Sequence, residues 1–203
     1  MNLFKNLFNS LTDSSHKEEN EKDSDLFPDN NLTPVDELFT MNFKKNGGKF
    51  LYCENLSEVK THFEDILAEN DWFESNALCF ESNLFSLLDE NRVNYKTPVN
   101  PEFLFCTCEN LNAEDGSIIF SSNQIRQNKT EELPYNIIVL AKTSQLVPKR
   151  DFAMKDIKKR YEPTKVYPTN IKEIKYFKQL KEDDFLHYGS VAKNLYLLLL
   201  EDL

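Results

Sequence analysis

The densest group of side chains able to do chemistry lies in the stretch CENLNAEDGSIIFSSNQ, from Cys108 to Gln124. Glu114 and Asp115 stand in a polar loop directly before the apolar residues 118–120, a pattern that predicts a strand. A carboxylate in such a loop can act as a general acid or base once burial or a like-charged neighbour moves its pKa. We therefore predict Glu114 and Asp115 as catalytic residues, with an ordinary solvated loop as the alternative.

Hydrogen-bond donors and two cations flank the same strand-like segment. Such a set can hold a carboxylate or a phosphate, because hydroxyls, amides and cations all donate hydrogen bonds to an anion. Gly116 is one of only four glycines, and its place before a strand predicts a positive φ and close backbone approach. The residues predicted to bind the ligand are Gly116, Ser117, Asn123, Arg126 and Lys129. The alternative is a polar surface loop between strands.

The sequence carries no signature of a metal or a cofactor. Its four cysteines lie in apolar, strand-like surroundings, without a C-x-x-C pair or a histidine at metal-ligand spacing. We therefore predict reduced core thiols, no metal site and a cytoplasmic protein. The G-x-G-x-x-G and P-loop motifs are missing as well, which predicts no dinucleotide or nucleotide cofactor. His187 is the histidine nearest to a possible site.

The net charge of -10 argues against general nucleic-acid binding, because a surface that neutralises phosphates needs an excess of Lys and Arg. Residues 1–40 carry nine acids and three bases, whereas residues 142–181 carry twelve bases and four acids. Two solvated faces are one interpretation, and a basic patch that attracts an anion, a partner or the acidic tail is the other. Residues 1–31 are predicted to be a flexible acidic tail before one domain over residues 32–203.

Membrane association is not predicted. The apolar run YLLLLEDL near the end of the sequence is far too short to cross a bilayer. The first eleven residues have helical apolar spacing, but no small-residue cleavage site follows them, so they do not indicate a signal peptide.

Strands and helices are predicted to alternate after Pro34. The predicted strands are 48–54, 77–80, 103–108, 117–122, 136–143, 171–177 and 193–201, and the predicted helices begin at Asn55 or Ser57, at Ser82 and at 149. Alternation implies parallel βαβ units, while the short loop between the third and fourth strands predicts one antiparallel hairpin. The predicted fold class is α/β, an open, mostly parallel sheet with flanking helices on both faces. Ligands in such sheets bind at the carboxyl ends of the strands.

The central block of the sequence resembles the LUD (lactate utilisation) domain family, which includes proteins of the LutC/YkgG type. That family has a stretch Ala-x-x-Gly-Thr-Ile/Leu-Val, a loop, Leu-Pro, and an apolar strand that ends in Val-Pro. The matching residues here are Ala113, Gly116, Ser117, Ile118, Ile119, Leu133, Pro134, Ile137, Ile138, Val139, Val147 and Pro148. The closing YGSVAKNLYLLLLED resembles the last loop and strand of the family.

The resemblance covers about residues 35–203 and implies the fold of glucosamine-6-phosphate isomerases, ribose-5-phosphate isomerases and CoA transferases. It places the loop over residues 112–122 near a substrate cleft. Two family motifs differ here: a Ser-Arg-Thr-x-Asp segment corresponds to YPTNIKEIKYF, and a Gly-x-His-Gly-Pro turn corresponds to HYGSVAKN, which keeps only Gly189.

The function that the resemblance implies is an accessory component of lactate utilisation, in which lactate is oxidised to pyruvate. Such a protein binds a small anionic metabolite, the iron–sulfur partner subunits of lactate oxidation, or both. Two alternatives stay open. One is an enzyme like the sugar-phosphate isomerases or CoA transferases, inferred from the fold alone. The other is a pure protein-interaction module that uses the acidic tail and the basic segment 142–181.

Overall fold

The computed structural model describes residues 33–177 and 192–203. Helices α1 to α5 span Val35–Lys45, Leu56–Asn70, Phe85–Glu90, Ser122–Ile125 and Arg150–Tyr161. Strands β1 to β9 span Lys49–Cys53, Ala77–Leu78, Phe103–Cys106, Asn110–Asn112, Ser117–Phe120, Asn136–Lys142, Leu146–Val147, Lys172–Ile174 and Asn194–Leu200. Short 3-10 turns occupy Ser82–Leu84, Thr130–Glu132 and Thr143–Gln145. The predicted tail over residues 1–31, His187 and Gly189 lie outside the described residues.

The larger sheet contains five strands that all run parallel, in the order β1-β9-β6-β3-β2. Its two central strands, β6 and β9, pair over seven residues, from Asn136 opposite Asn194 to Lys142 opposite Leu200. Both faces of these strands are covered, so they are nearly continuous runs of Ile, Val and Leu rather than alternating sequences. The predicted fold class, an open α/β sheet with flanking helices, is confirmed.

One face of the parallel sheet is covered by α2 and α3. Helix α2 begins where the sequence predicts, because the Asn55 side chain accepts hydrogen bonds from the backbone N–H groups of Ser57 and Glu58. Its apolar stripe, Val59, Phe63, Ile66 and Leu67, is buried against β3, β6 and β9 together with the apolar residues of α3.

The opposite face is covered by α1 and by a second sheet, which the sequence did not predict. This sheet has four strands in the order β7-β4-β5-β8, and the turn between β4 and β5 makes an antiparallel hairpin. The predicted pairing of residues 103–108 with 117–122 is therefore wrong. Strand β3 instead lies between β2 and β6 in the parallel sheet, which suits its four fully buried residues.

Helix α5 packs on the outer face of the second sheet. Ala153 and Ile157 contact Ile119 and Val147 there, while Phe152 remains half exposed. The molecule is thus layered as helices, parallel sheet, second sheet with α1, and α5. Within residues 33–177 and 192–203, every helix is too short or too polar to span a bilayer.

Candidate functional site

A cavity of about 460 Å³ lies at the carboxyl ends of the parallel strands, between α2 and the segment 82–87. We call it the strand-end cavity. The apolar residues that line it are Leu56, Val59, Leu84, Leu87, Leu140 and Leu200. The polar residues that line it are Lys60, Asn83, Ser86, Thr107, Lys142 and Gln145. The place agrees with the general rule that open α/β sheets bind ligands at this edge, and the volume is that of an ordinary ligand pocket.

Two lysines bring positive charge to the strand-end cavity. The ammonium of Lys60 donates to both carboxylate oxygens of Glu90, at 3.0 and 2.9 Å. Lys142 is held less firmly, because its nitrogen lies 3.6 Å from the Asp202 carboxylate, beyond hydrogen-bond distance. Within the described part of the chain, Lys142 therefore keeps more of its hydrogen-bond donors for a ligand than Lys60 does.

Asp202 does not depend on Lys142 for its hydrogen bonds. Its carboxylate accepts from the hydroxyl of Thr143 at 3.0 Å and from the backbone N–H and hydroxyl of Ser144 at 2.9 and 2.8 Å. Burial on its own raises the pKa of Asp202, but these hydrogen bonds and the charge of Lys142 outweigh burial and leave the pKa below its ordinary value. The ionised Asp202 carboxylate thus fixes the turn after β6.

Glu81 is a half-buried carboxylate next to the lining of the strand-end cavity, and the sequence reasoning did not single it out. Thr107, which lines the strand-end cavity, donates its backbone N–H to one carboxylate oxygen of Glu81 at 2.7 Å and its hydroxyl to the other at 2.6 Å. Burial raises the pKa of Glu81, and the charge of Glu109 raises it further, while Thr107 and Arg126 oppose this effect. Its position directly after the predicted strand 77–80 was the signal that could have found it.

A second group of polar residues surrounds Glu109, whose carboxylate is fully buried. Ser121 donates its hydroxyl to Glu109 at 2.6 Å, and Arg160 donates to the other carboxylate oxygen at 2.7 Å. The remaining hydrogen bonds come from Asn123, Gln124 and Tyr161. We call these six residues the Glu109 cluster. It ties the start of α4 and the end of α5 to the approach to β4, so its evident role is to hold these elements together.

Three of the sequence-predicted site residues lie after β5. Asn123 belongs to the Glu109 cluster and also donates to the Tyr161 hydroxyl at 2.7 Å. Arg126 lies over the ring of Phe80, 5.2 Å from its centroid, and Lys129 is exposed at the start of a 3-10 turn. Of the three, Arg126 is the one that acts on Glu81, because the positive charge of Arg126 lowers the pKa of Glu81.

The other four predicted residues lie in the hairpin turn and at the first position of β5, which is Ser117. Asp115 accepts from the backbone N–H and hydroxyl of Ser117 at 3.1 and 2.6 Å and pairs with Lys175 at 3.3 Å. The Ser117 hydroxyl is buried and also contacts the Glu173 carboxylate. Strand β5 therefore divides the predicted set, with the two catalytic predictions and Ser117 at one end and Asn123, Arg126 and Lys129 at the other. The ligand and catalytic roles of all seven stay predictions.

Gly116 and Glu114 complete that turn. Gly116 has the predicted positive φ, +70°, and its backbone approaches α1 so closely that an added Cβ would lie 2.3 Å from the Phe43 nitrogen. Glu114 is exposed and pairs with Lys149 at 3.8 Å. The close approach predicted at Gly116 is thus made to a helix of the same chain.

The basic residues predicted to form a patch are divided among different partners. Arg150 pairs with Glu173 at 3.4 Å, and Arg160 is engaged with Glu109 and with Asp156 at 2.5 Å. Three lysines of α5 remain exposed on its outer side, namely Lys155, Lys158 and Lys159. In the described ranges, no group of His, Cys, Asp and Glu side chains is arranged to hold a metal ion.

Comparison with known proteins gives a likeness in fold. No family model matches the sequence. No curated protein matches it either. Among solved structures, a DUF162 family protein from Deinococcus radiodurans superposes with a TM-score of 0.57, covering 83% of this chain and 96% of that chain at 10% sequence identity. This chain therefore shares the fold of a DUF162 family protein, a domain that corresponds to the LUD type.

Proposed function

We propose that this chain is a LUD-type protein that binds a small anionic metabolite in the strand-end cavity, as a cytoplasmic accessory component of lactate utilisation. One observation carries the binding proposal: a formed cavity lies at the ligand-binding edge of the parallel sheet, with Lys142 beside it. The lactate context is supported by the resemblance of residues 113–148 to the LUD family and by the fold shared with a DUF162 family protein.

The anion is expected to replace solvent at the Lys142 ammonium. The Asp202 carboxylate is satisfied by Thr143 and Ser144, so Lys142 can turn toward a ligand without leaving that carboxylate unpaired. Thr107, Asn83 and Ser86 line the same cavity with hydroxyl and amide groups, which can accept from or donate to a hydroxyl or keto group of the ligand.

A thermal-shift and calorimetric screen tests the proposal with L-lactate, pyruvate, sugar phosphates, acyl-CoA and inorganic phosphate. A ligand present at about 100 times its dissociation constant stabilises the native state by about 2.7 kcal/mol. We expect Lys142→Gln to raise the dissociation constant about tenfold, since a hydrogen bond to a charged group contributes about 1.5 kcal/mol or more.

The matched control is Lys45→Gln, which removes an exposed lysine at the end of α1, a helix on the opposite face of the sheet. It should leave the dissociation constant unchanged. A flat panel would overturn the proposal. Binding that survives Lys142→Gln but is lost in Arg126→Ala, Ser117→Ala or Glu114→Ala would move the site to the residues around β5. Iron–sulfur subunits of lactate oxidation are proposed partners, to be sought by co-purification.

The enzymatic alternative has one observation in its favour, the Glu81 carboxylate bonded to Thr107 at the cavity wall. A carboxyl group with a raised pKa suits proton abstraction next to a carbonyl, as in sugar-phosphate isomerisation. If the enzymatic alternative is right, the wild-type protein exchanges a carbon-bound proton of its substrate with deuterium from D2O, and NMR detects this exchange. The Glu81→Gln variant should slow the exchange at least 100-fold. Glu74→Gln, at an exposed position after α2 and outside the cavity lining, should leave the exchange rate unaltered.

A further inference from the structure

The strand-end cavity is larger and more apolar than a three-carbon acid requires. Its volume of about 460 Å³ lies in the range of pockets that hold drug-sized ligands, about 300–1,000 Å³. Half of the residues that line it are aliphatic, and Val59, Leu84 and Leu87 among them are buried. A ligand as small as lactate would leave most of this apolar surface in contact with water.

The charged groups of the cavity lie at its solvent side. The side chains of Lys60 and Lys142 are 50% and 57% exposed and Leu56 is 64% exposed, whereas Val59 and Leu84 are 1% exposed. The same cavity therefore offers apolar surface inside and ammonium groups at the opening. A ligand complementary to it carries one apolar end and one anionic end.

The number of negative charges is limited by the carboxylates that face the two lysines. Glu90 stands 2.9 Å from the Lys60 ammonium, and Asp202 stands 3.6 Å from that of Lys142. Each cation is thus already balanced by one acid, and a polyanion such as a diphosphate would be repelled by both acids. A single carboxylate needs only the donors that Lys142 leaves unused.

We propose that the strand-end cavity selects monocarboxylates that carry an aliphatic chain, with the chain against the leucine side chains that line the cavity and the carboxylate at Lys142. This inference rests on the proposed function and narrows its ligand to an amphipathic acid. The apolar transfer energy then makes affinity depend on chain length, because each methylene added inside the cavity leaves water.

The test is calorimetric titration with straight-chain 2-hydroxy acids of increasing length, from lactate to the ten-carbon acid, below their micelle concentrations. We expect the dissociation constant to fall about fourfold per methylene, which corresponds to about 0.8 kcal/mol, until the chain fills the cavity. Lys142→Gln should raise the dissociation constant of every acid by a similar factor and leave the dependence on chain length intact.

Two further variants test where the aliphatic chain of the ligand lies. Ser86→Trp places a large ring in the cavity wall from an exposed position, so it should abolish the gain from added methylenes without unfolding the protein. Thr61→Trp, at an exposed position on α2 away from the cavity, is the control and should keep the gain. If lactate and the longer acids bind with the same dissociation constant, this inference is overturned and the proposed function still stands. The absence of binding by every acid would overturn both.

Discussion

Replacing Glu109 with alanine is expected to lower the free energy of unfolding by about 3 kcal/mol, the lower end of the range for breaking a buried ion pair. The carboxylate is only 1% exposed and binds Arg160 at 2.7 Å and Ser121 at 2.6 Å. Its removal leaves the Ser121 hydroxyl buried without this acceptor and the guanidinium with Asp156 as its remaining acidic partner. Arg160 is 37% exposed, so water solvates part of its charge, which places the loss at the lower end.

The control for this variant is an ion pair of similar length at the surface. Glu90 lies 2.9 Å from Lys60, with side chains 48% and 50% exposed, and Glu90→Ala should cost less than about 1 kcal/mol. Urea unfolding followed by circular dichroism measures both variants. Equal losses in the two would show that the Glu109 cluster does not hold α5 and the second sheet together as the structure implies.

The parts of the fold that the sequence predicted correctly are those with a local cause. Helix α2 follows from the Asn55 cap and from four apolar residues at helical spacing, all within sixteen residues of each other. Strands β6 and β9 follow from apolar runs that match burial on both faces. None of these elements needs a distant partner to be recognised.

The second sheet was missed because its strands are short and because the residues that stabilise them lie far away in the sequence. Strand β4 is only three residues long, and two of them are the asparagines Asn110 and Asn112, which in sequence favour a loop. In the structure both are buried, and their amides reach Asp156 and Glu173, 46 and 61 residues away. A propensity argument has no access to partners so far along the chain.

Helix α1 was a different omission, since Leu38, Phe39 and Phe43 do have helical spacing and the pattern was available. What the sequence does not reveal is its position. The helix is fixed by Asn42 and Asn46, which donate to backbone carbonyls of the hairpin turn at 2.9 and 2.6 Å, and by the glycine that the turn presents to it.

The strand-end cavity lies at the edge where open α/β sheets bind ligands, and the residues that line it differ from the site residues predicted from the sequence. Lys60 lies in the first half of α2, Thr107 follows β3 and Lys142 ends β6, and the strand order β1-β9-β6-β3 brings them around one cavity. The sequence reasoning favoured residues that are dense along the chain, in the stretch 114–129. A cavity at strand ends collects single residues from many loops, so density along the chain is a poor guide to it.

Gly116→Ala is expected to lower the free energy of unfolding by roughly 2–5 kcal/mol. The φ of +70° costs an alanine about 1–2 kcal/mol, and overpacking typically costs about 1–3 kcal/mol more. The new Cβ would lie 2.3 Å from the nitrogen of Phe43 and 2.4 Å from the carbonyl carbon of Asn42, both of them backbone atoms of α1. A helix backbone cannot turn aside as a side chain does, so the turn and α1 must separate.

Glu114→Ala is the matched control, because Glu114 neighbours Gly116 in the same turn but its side chain is exposed and pairs only loosely with Lys149. It should change the free energy of unfolding by no more than about 0.5 kcal/mol. Urea unfolding at neutral pH measures both variants, and a Gly116→Ala protein as stable as the wild type would disprove the contact with α1. The result also decides how Gly116 variants bear on function. If Gly116→Ala displaces α1, a loss of ligand binding in that variant reports a damaged fold, and only Lys142→Gln or Arg126→Ala reports contact with the ligand.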